Sequence, residues 1–343
     1  PRRCLCGVGQ SWSYTTTLRV HLQKKSYLVT GGTGFIGSAL VKRLVRTDHT
    51  VRVLDNNSRG AAERLADVAN HVELVVADIR DAQAVKNAAK GMESVIHLAY
   101  VNGTEFFYSK PELVLDIALR GMLNVIDACR ANGIGDLVLA SSSEVYQTPP
   151  NIPTAEDAPL IVPDVLNPRY SYGGGKLACE LMAVNYGRTD FDRVTIFRPH
   201  NVYGPDMGWE HVLPQFVVRA AKALAKTPLG PVEFPIQGDG RQTRAFVHID
   251  DFTSGVMQIL ARGEHLGIYH VGNPEEISVQ NVVEQLFEVL GREPCIVHGS
   301  LTQGSTERRC PDISKLRSIG YEPTISFAQG LPSLVHWYMQ HAS

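Results

Sequence analysis

One segment constrains this chain more than any other: Tyr27-Leu-Val-Thr-Gly-Gly-Thr-Gly-Phe-Ile-Gly37. Residues 27 to 30 read as a short buried strand. Gly31, Gly34 and Gly37 then stand where a chain must turn sharply, let an anion approach backbone amides, and start a helix packed against the strand it has just left. Tight strand-to-helix turns also use glycine for purely structural reasons, so the triplet takes its meaning from the residues downstream of it.

Downstream, the rhythm of strand and helix repeats. Short apolar, β-branched runs at Tyr27–Thr30, Val51–Leu54, Val72–Val76, Val95–Leu98, Asp136–Ala140 and Val194–Arg198 alternate with helical stretches starting near Gly34, Ala61, Asp81, Pro111 and Tyr172. Parallel crossovers are right-handed, so this order predicts an α/β fold: a Rossmann-type doubly wound parallel sheet with its ligand crevice at the strands' carboxyl ends. After Asn201, prolines punctuate shorter elements. We expect a dinucleotide-binding domain over 26–201, with chain returns from the C-terminal part, and a smaller α/β substrate lobe over 202–343. Residues 1–25 carry basic, Ser and Thr residues without an acid, read as an N-terminal extension, and are left out of the fold argument.

Asp55 ends the second strand. A carboxylate there accepts hydrogen bonds from adenosine ribose hydroxyls and repels a 2′-phosphate, which favours NAD over NADP. Arg59 keeps phosphate binding open as an alternative. Asp78 and Ile79 come directly after the third strand, within reach of adenine, although Asp78 also suits a helix cap.

The fifth apolar run ends in Ser141-Ser142-Ser143-Glu144, so hydroxyls point into the same crevice. Farther on, Tyr172 and Lys176 are one helical turn apart and share a face. An ammonium there lowers a phenol's pKa, and a phenolate-like Tyr takes a hydroxyl proton near neutrality. Alone, such a pair would more often be a solvated helix surface. The nucleotide-binding turn and strand-end serines ahead of it reverse that reading.

Composition limits the partners. The chain has 343 residues, 44% hydrophobic and 20% charged, which is globular material and rules out disordered and fibrous classes. A net charge of −2 provides no general attraction to nucleic acid or an anionic membrane, so anionic ligands need local sites. No apolar run approaches the ~20 residues of a membrane span. Six scattered cysteines suit a reduced compartment, and a cytoplasmic enzyme is expected. Cys4 and Cys6 lack a second pair at ligand spacing, and His200 lacks a partner, so no metal site is expected.

These motifs, in this order over about residues 26 to 335, resemble the extended short-chain dehydrogenase/reductase family of nucleotide-sugar epimerases and dehydratases. Thr30 to Gly37 resembles its cofactor loop, His97-Leu98-Ala99 its fourth-strand motif, Ser142 its catalytic hydroxyl, and Tyr172 with Lys176 its catalytic pair. The resemblance implies cofactor contacts from Gly31, Gly34, Phe35, Ile36, Gly37, Asp55, Asn56, Asp78, Ile79, Leu98 and Ala99, together with Tyr172 and Lys176. It implies diphosphate contacts from Asn201, Arg244 and Arg309, in stretches similar to the family's, although either Arg taken singly could be a surface residue. It further implies that a sugar 4-hydroxyl is oxidised and the NAD recycled, in a homodimer built from helices near Pro111–Arg130 and Tyr172–Gly187.

Departures from the family's pattern bear on the outcome. Ser142-Ser143-Glu144 resembles the Thr-Ser-Glu of GDP-mannose 4,6-dehydratases and UDP-glucuronate decarboxylases; Ser143 replaces the acid that dTDP-glucose dehydratases use to expel the 6-hydroxyl, while Glu144 is a candidate C5 base or a loop carboxylate. Tyr100 replaces a small residue, and Tyr100 to Tyr108 reads as a loop above the sugar, with Asn102 and Thr104 as substrate contacts. Epimerase or dehydratase is the leading reading. A UDP-glucuronate decarboxylase-like lyase, a net oxidoreductase and a non-catalytic dinucleotide sensor are the alternatives.

Overall fold

The computed structural model describes residues 24–300 and 307–342; Cys4, Cys6 and nearly all of the expected N-terminal extension lie outside them, as does the side chain of Thr104. The first six strands are β1 (Ser26–Thr30), β2 (Thr50–Asp55), β3 (Val72–Val76), β4 (Ser94–His97), β5 (Asp136–Ala140) and β6 (Arg193–Pro199). Each falls within a residue or two of its expected place. Beyond them come β7 (Val202–Tyr203), β8 (Val232–Ile236), β9 (Thr243–Ala245), β10 (Val247–His248), β11 (Gly267–Val271), β12 (Glu276–Ser278), β13 (Pro294–His298) and β14 (Arg308–Arg309). A seven-stranded sheet runs in the order β11-β6-β5-β4-β1-β2-β3, every pair parallel. The chain therefore comes back after β7 to β10 to lay β11 beside β6.

The strands read as continuous apolar runs because both faces of the sheet are covered. Leu28, Leu54, Val95, Leu137 and Val194 face one layer, formed by α2 (Ala82–Ala88), α4 (Pro111–Asn132) and α5 (Ser171–Asp190). Their neighbours Val29, Val53, Ile96 and Val138 face the other, formed by α1 (Phe35–Arg46) and α7 (Ile249–Arg262). Each such fully buried side chain contributes about 1.5–3 kcal/mol. A third apolar cluster joins Phe216, Phe234, Phe287, Leu334 and Tyr338 under the second lobe, where α6 (Val212–Lys226), α8 (Val279–Val289) and α10 (Phe327–His341) pack around the strand pair β8–β13.

Two elements differ from the sequence reading. The helix expected near Ala61 is a 3-10 helix over Ala62–His71. The expected loop over Tyr100 to Tyr108 contains a short helix, α3 (Thr104–Ser109), started by Gly103 at φ 128°, a conformation that residues with a side chain rarely adopt.

Candidate active site

A cavity of about 520 Å³ opens at the carboxyl ends of the central strands and runs from the glycine turn to the Ser142–Glu144 segment and the second lobe. At one end, a Cβ on Gly37 would overlap the Gly31 carbonyl oxygen, and one on Gly31 would lie 2.7 Å from the Ala99 amide nitrogen. Only glycine permits this close crossing of β1, α1 and the β4 end. Helix α1 begins at Gly34 with no side-chain cap and no acid in its first turn, so its leading N–H groups and positive dipole end face the cavity.

Gly31, Gly34, Phe35, Ile36, Gly37, Asp55, Asn56, Asp78, Ile79, Leu98 and Ala99 all line this cavity. Asp55 also accepts from the Thr33 amide at 3.0 Å and the Asn57 amide at 2.9 Å, which ties it to the glycine turn. Asp78 is forked by Arg80, at 2.9 and 2.8 Å, and that guanidinium pulls its carboxyl down to about 2. Arg59, the alternative phosphate ligand, instead pairs with Glu210 and lies over the Phe106 ring. The buried Ser141 hydroxyl has no partner among the described residues and belongs to the same wall. Uncapped amides and a cradle that a Cβ would fill fit a dinucleotide's diphosphate, and the strand-end carboxylate of Asp55 fits its adenosine ribose.

The structure brings Ser142, Glu144, Tyr172 and Lys176 together at the middle of the cavity. Ser142 accepts from the Glu144 amide at 3.2 Å, capping the short turn Ser143–Val145, and its hydroxyl acts to lower the Tyr172 phenol. Burial pushes the Tyr172 phenol up to about 12, and the group that counters burial is Ser142. The Lys176 ammonium, expected to lower that phenol, is directed elsewhere: it donates to the Ala140 carbonyl at 2.7 Å and lies 3.9 Å from the centroid of the Tyr100 ring. Burial brings Lys176 itself down to about 8.

Helix α5 carries three consecutive glycines, Gly173 to Gly175, directly after Ser171 and Tyr172, each costing about 1 kcal/mol of helix propensity. Two of them have a steric reason at the site. A Cβ on Gly173 would lie 2.8 Å from the Glu144 carbonyl oxygen, and one on Gly175 would overlap the Tyr100 hydroxyl.

The substrate-side candidates divide. Ser143, Asn102 and Asn201 line the cavity. Asn102 accepts from the Gly103 amide at 2.8 Å; Asn201, at φ 42°, donates to the Ala245 carbonyl at 2.9 Å and so anchors the second lobe. Arg244 and Arg309 lie outside the cavity lining, as register partners on the parallel strands β9 and β14. Arg309 reaches the rim by pairing with Glu144.

Sequence reasoning missed Arg169 and Phe246, both cavity-lining. Arg169 stands one helical turn ahead of Tyr172, a position that the pattern Arg-Tyr-Ser-Tyr could have flagged. No cluster of metal-binding side chains occurs among the described residues, and none of their helices is long and apolar enough to cross a membrane.

Residues 27–272 match the NAD dependent epimerase/dehydratase family. The chain belongs to that family. Among relatives of this epimerase/dehydratase, UDP-glucuronic acid decarboxylase 2 of Arabidopsis thaliana is 32% identical over 316 residues, 91% of this chain and 68% of the relative. The crystal structure of a dTDP-glucose 4,6-dehydratase from Streptomyces venezuelae with NAD bound is 30% identical, with a TM-score of 0.80, and the match covers 92% of this chain and 97% of that one. MoeE5, in complex with UDP-glucuronic acid and NAD, is 26% identical with a TM-score of 0.76 over 92% of this chain and 99% of its own. The chain is thus an NAD-dependent enzyme of the nucleotide-sugar epimerase, dehydratase and decarboxylase group with the expected Rossmann-type fold.

Proposed function

We propose that this chain binds a nucleotide-diphosphate sugar and works at C4, with the Tyr172 oxygen taking the proton of the sugar 4-hydroxyl and Ser142 hydrogen-bonding the same oxygen. NAD, when bound, supplies reversible hydride uptake at C4. The product of that first step is a 4-keto sugar, which an epimerase or dehydratase then finishes. The observation that carries this reading is the convergence of Ser142, Tyr172 and Lys176 on one wall of the cavity that begins at the glycine turn.

The cavity supports a second ending, decarboxylation. In a 4-keto uronic acid the C5–C6 bond breaks on its own terms: its electron pair moves into the C4 carbonyl as an enolate, carbon dioxide leaves, and C5 takes a proton. No carboxylic acid is needed at the position of Ser143. Arg169 adds a reason, because it lines the cavity and, among the described residues, only its backbone amide is hydrogen-bonded, to Asn167. A cation so placed is complementary to a sugar carboxylate or a diphosphate. The decarboxylase relative points the same way.

Incubation of the purified chain with UDP-glucuronate, UDP-glucose, dTDP-glucose and GDP-mannose, with the product mass measured, separates the endings. Unchanged mass with a new isomer marks an epimerase, loss of water a dehydratase, and loss of carbon dioxide a decarboxylase. Lasting NADH accumulation marks a net oxidoreductase and overturns the recycling. No turnover of any of the four overturns the proposal.

The same reading includes a homodimer. Leu115, Leu119 and Leu123 recur at one-turn intervals on α4, and Leu181 on the paired α5, all partly exposed. A second copy covering that stripe predicts a dimer mass in light scattering, and Leu119→Glu a monomer.

A further inference from the structure

We propose that Tyr100 is a positioning residue for the proton-transfer pair: its ring face seats the Lys176 ammonium while its edge and hydroxyl seat Tyr172, so that one side chain sets the spacing of the other two. This rests on the reading of Tyr172 as the proton acceptor. Tyr100 lies just beyond the end of β4 and replaces the small residue usual in the family at that point.

The geometry is threefold. The Lys176 nitrogen lies 3.9 Å from the Tyr100 ring centroid. The Tyr100 and Tyr172 rings meet edge to face at 5.1 Å and 81°, with Phe107 stacked on the other side of Tyr172 at 5.0 Å. The Tyr100 hydroxyl donates to the Tyr172 backbone carbonyl at 3.3 Å, fixing the first turn of α5, from which Tyr172 projects one turn ahead of Lys176. Gly175 belongs to this arrangement, since its missing Cβ makes room for the Tyr100 hydroxyl.

The physical need is plain. An ammonium out of water loses its proton unless partners replace its hydration, and Lys176 has few. From β5 it has the Ala140 carbonyl, from β4 the buried neutral His97, and from its own helix Cys179 and Glu180, the latter already bonded to Arg198. Facing Tyr172 are Ser142 and Glu144 from the turn after β5. The Tyr100 quadrupole is therefore a main attraction holding that cation protonated and in place. Tyr100 does not compete as a base, because burial raises its own phenol well above the ordinary value.

The test reads Lys176 directly, in the full chain as purified, labelled with 13Cε-lysine and titrated by NMR, with Lys176→Met assigning the resonance. Tyr100→Leu is expected to lower the Lys176 midpoint by about one pH unit and to cut kcat on UDP-glucuronate, or on whichever of the four sugars above is turned over, by about tenfold with KM changed less than about twofold. Tyr100→Phe, which keeps the ring, is expected to hold the midpoint and most of kcat; it is also expected to rescue Gly175→Ala, since the colliding hydroxyl is gone. Where Tyr100→Leu loses its near-ultraviolet circular dichroism, Tyr100→Met is read in its place. A wild-type midpoint in Tyr100→Leu or Tyr100→Met, or failure of Tyr100→Phe to rescue Gly175→Ala, overturns the proposal. Full turnover in Tyr172→Phe would overturn the proton-acceptor reading instead, and the lysine titration, which needs no turnover, tells the two failures apart.

Discussion

Arg309 and Glu144, 165 residues apart in the chain, form an ion pair on the rim of the candidate active-site cavity. A candidate diphosphate ligand and a candidate C5 base thus neutralise each other, and an incoming diphosphate competes with the carboxylate for the guanidinium. Glu144→Gln removes that competitor. UDP is expected to bind about fivefold more tightly to this variant, by calorimetry, because an exposed or half-buried pair is worth about 1 kcal/mol. Weaker UDP binding in Glu144→Gln would count against Arg309 as a diphosphate ligand.

Tyr172→Phe should lower kcat by about 10²–10⁴, the usual worth of a positioned proton acceptor, with KM nearly unchanged. Ser142→Ala should lower kcat as well and raise the pH at which Tyr172 acts, since the Ser142 hydroxyl is the group that counters the burial of the phenol. The pH profile of kcat in the two variants checks both.

Behind the site, Arg198 and Glu180 are both buried and meet through two nitrogens at 2.9 and 2.6 Å. Arg198 also bonds Tyr146, whose hydroxyl meets the His270 ring nitrogen at 2.6 Å. Removing one partner strands a buried charge. Glu180→Ala is expected to cost about 3–5 kcal/mol of stability in urea unfolding, whereas a joint replacement of Arg198 and Glu180 by apolar residues should cost less.

Acid should destabilise the fold through its buried histidines. Burial brings His97 down to about 3 and His270 to about 4, and lowers His200 well below its ordinary value. A depressed folded pKa means that the unfolded chain binds protons first, so stability is full above about pH 6.5 and falls as the pH drops toward 4. The urea midpoint should hold above about pH 6.5 and decline steadily from there toward about pH 4, and a variant with His270→Gln should show a shallower decline. A flat midpoint over that range would refute the assignment.

Local features of the sequence determined a good part of this protein. Strand alternation, the glycine spacing from Gly31 to Gly37 and the one-turn interval between Tyr172 and Lys176 depend only on backbone geometry within a few residues, so the Rossmann order and the middle of the candidate site were legible in the chain itself. Contacts between distant segments were not. The pairing of Glu144 with Arg309, the register that sets Arg309 beside Arg244, the diversion of Lys176 to Ala140 and Tyr100, and the placing of Arg169 on the cavity wall each join residues whose spacing is decided by chain returns and packing. Charge and burial act through space, and only the tertiary structure says which charges meet.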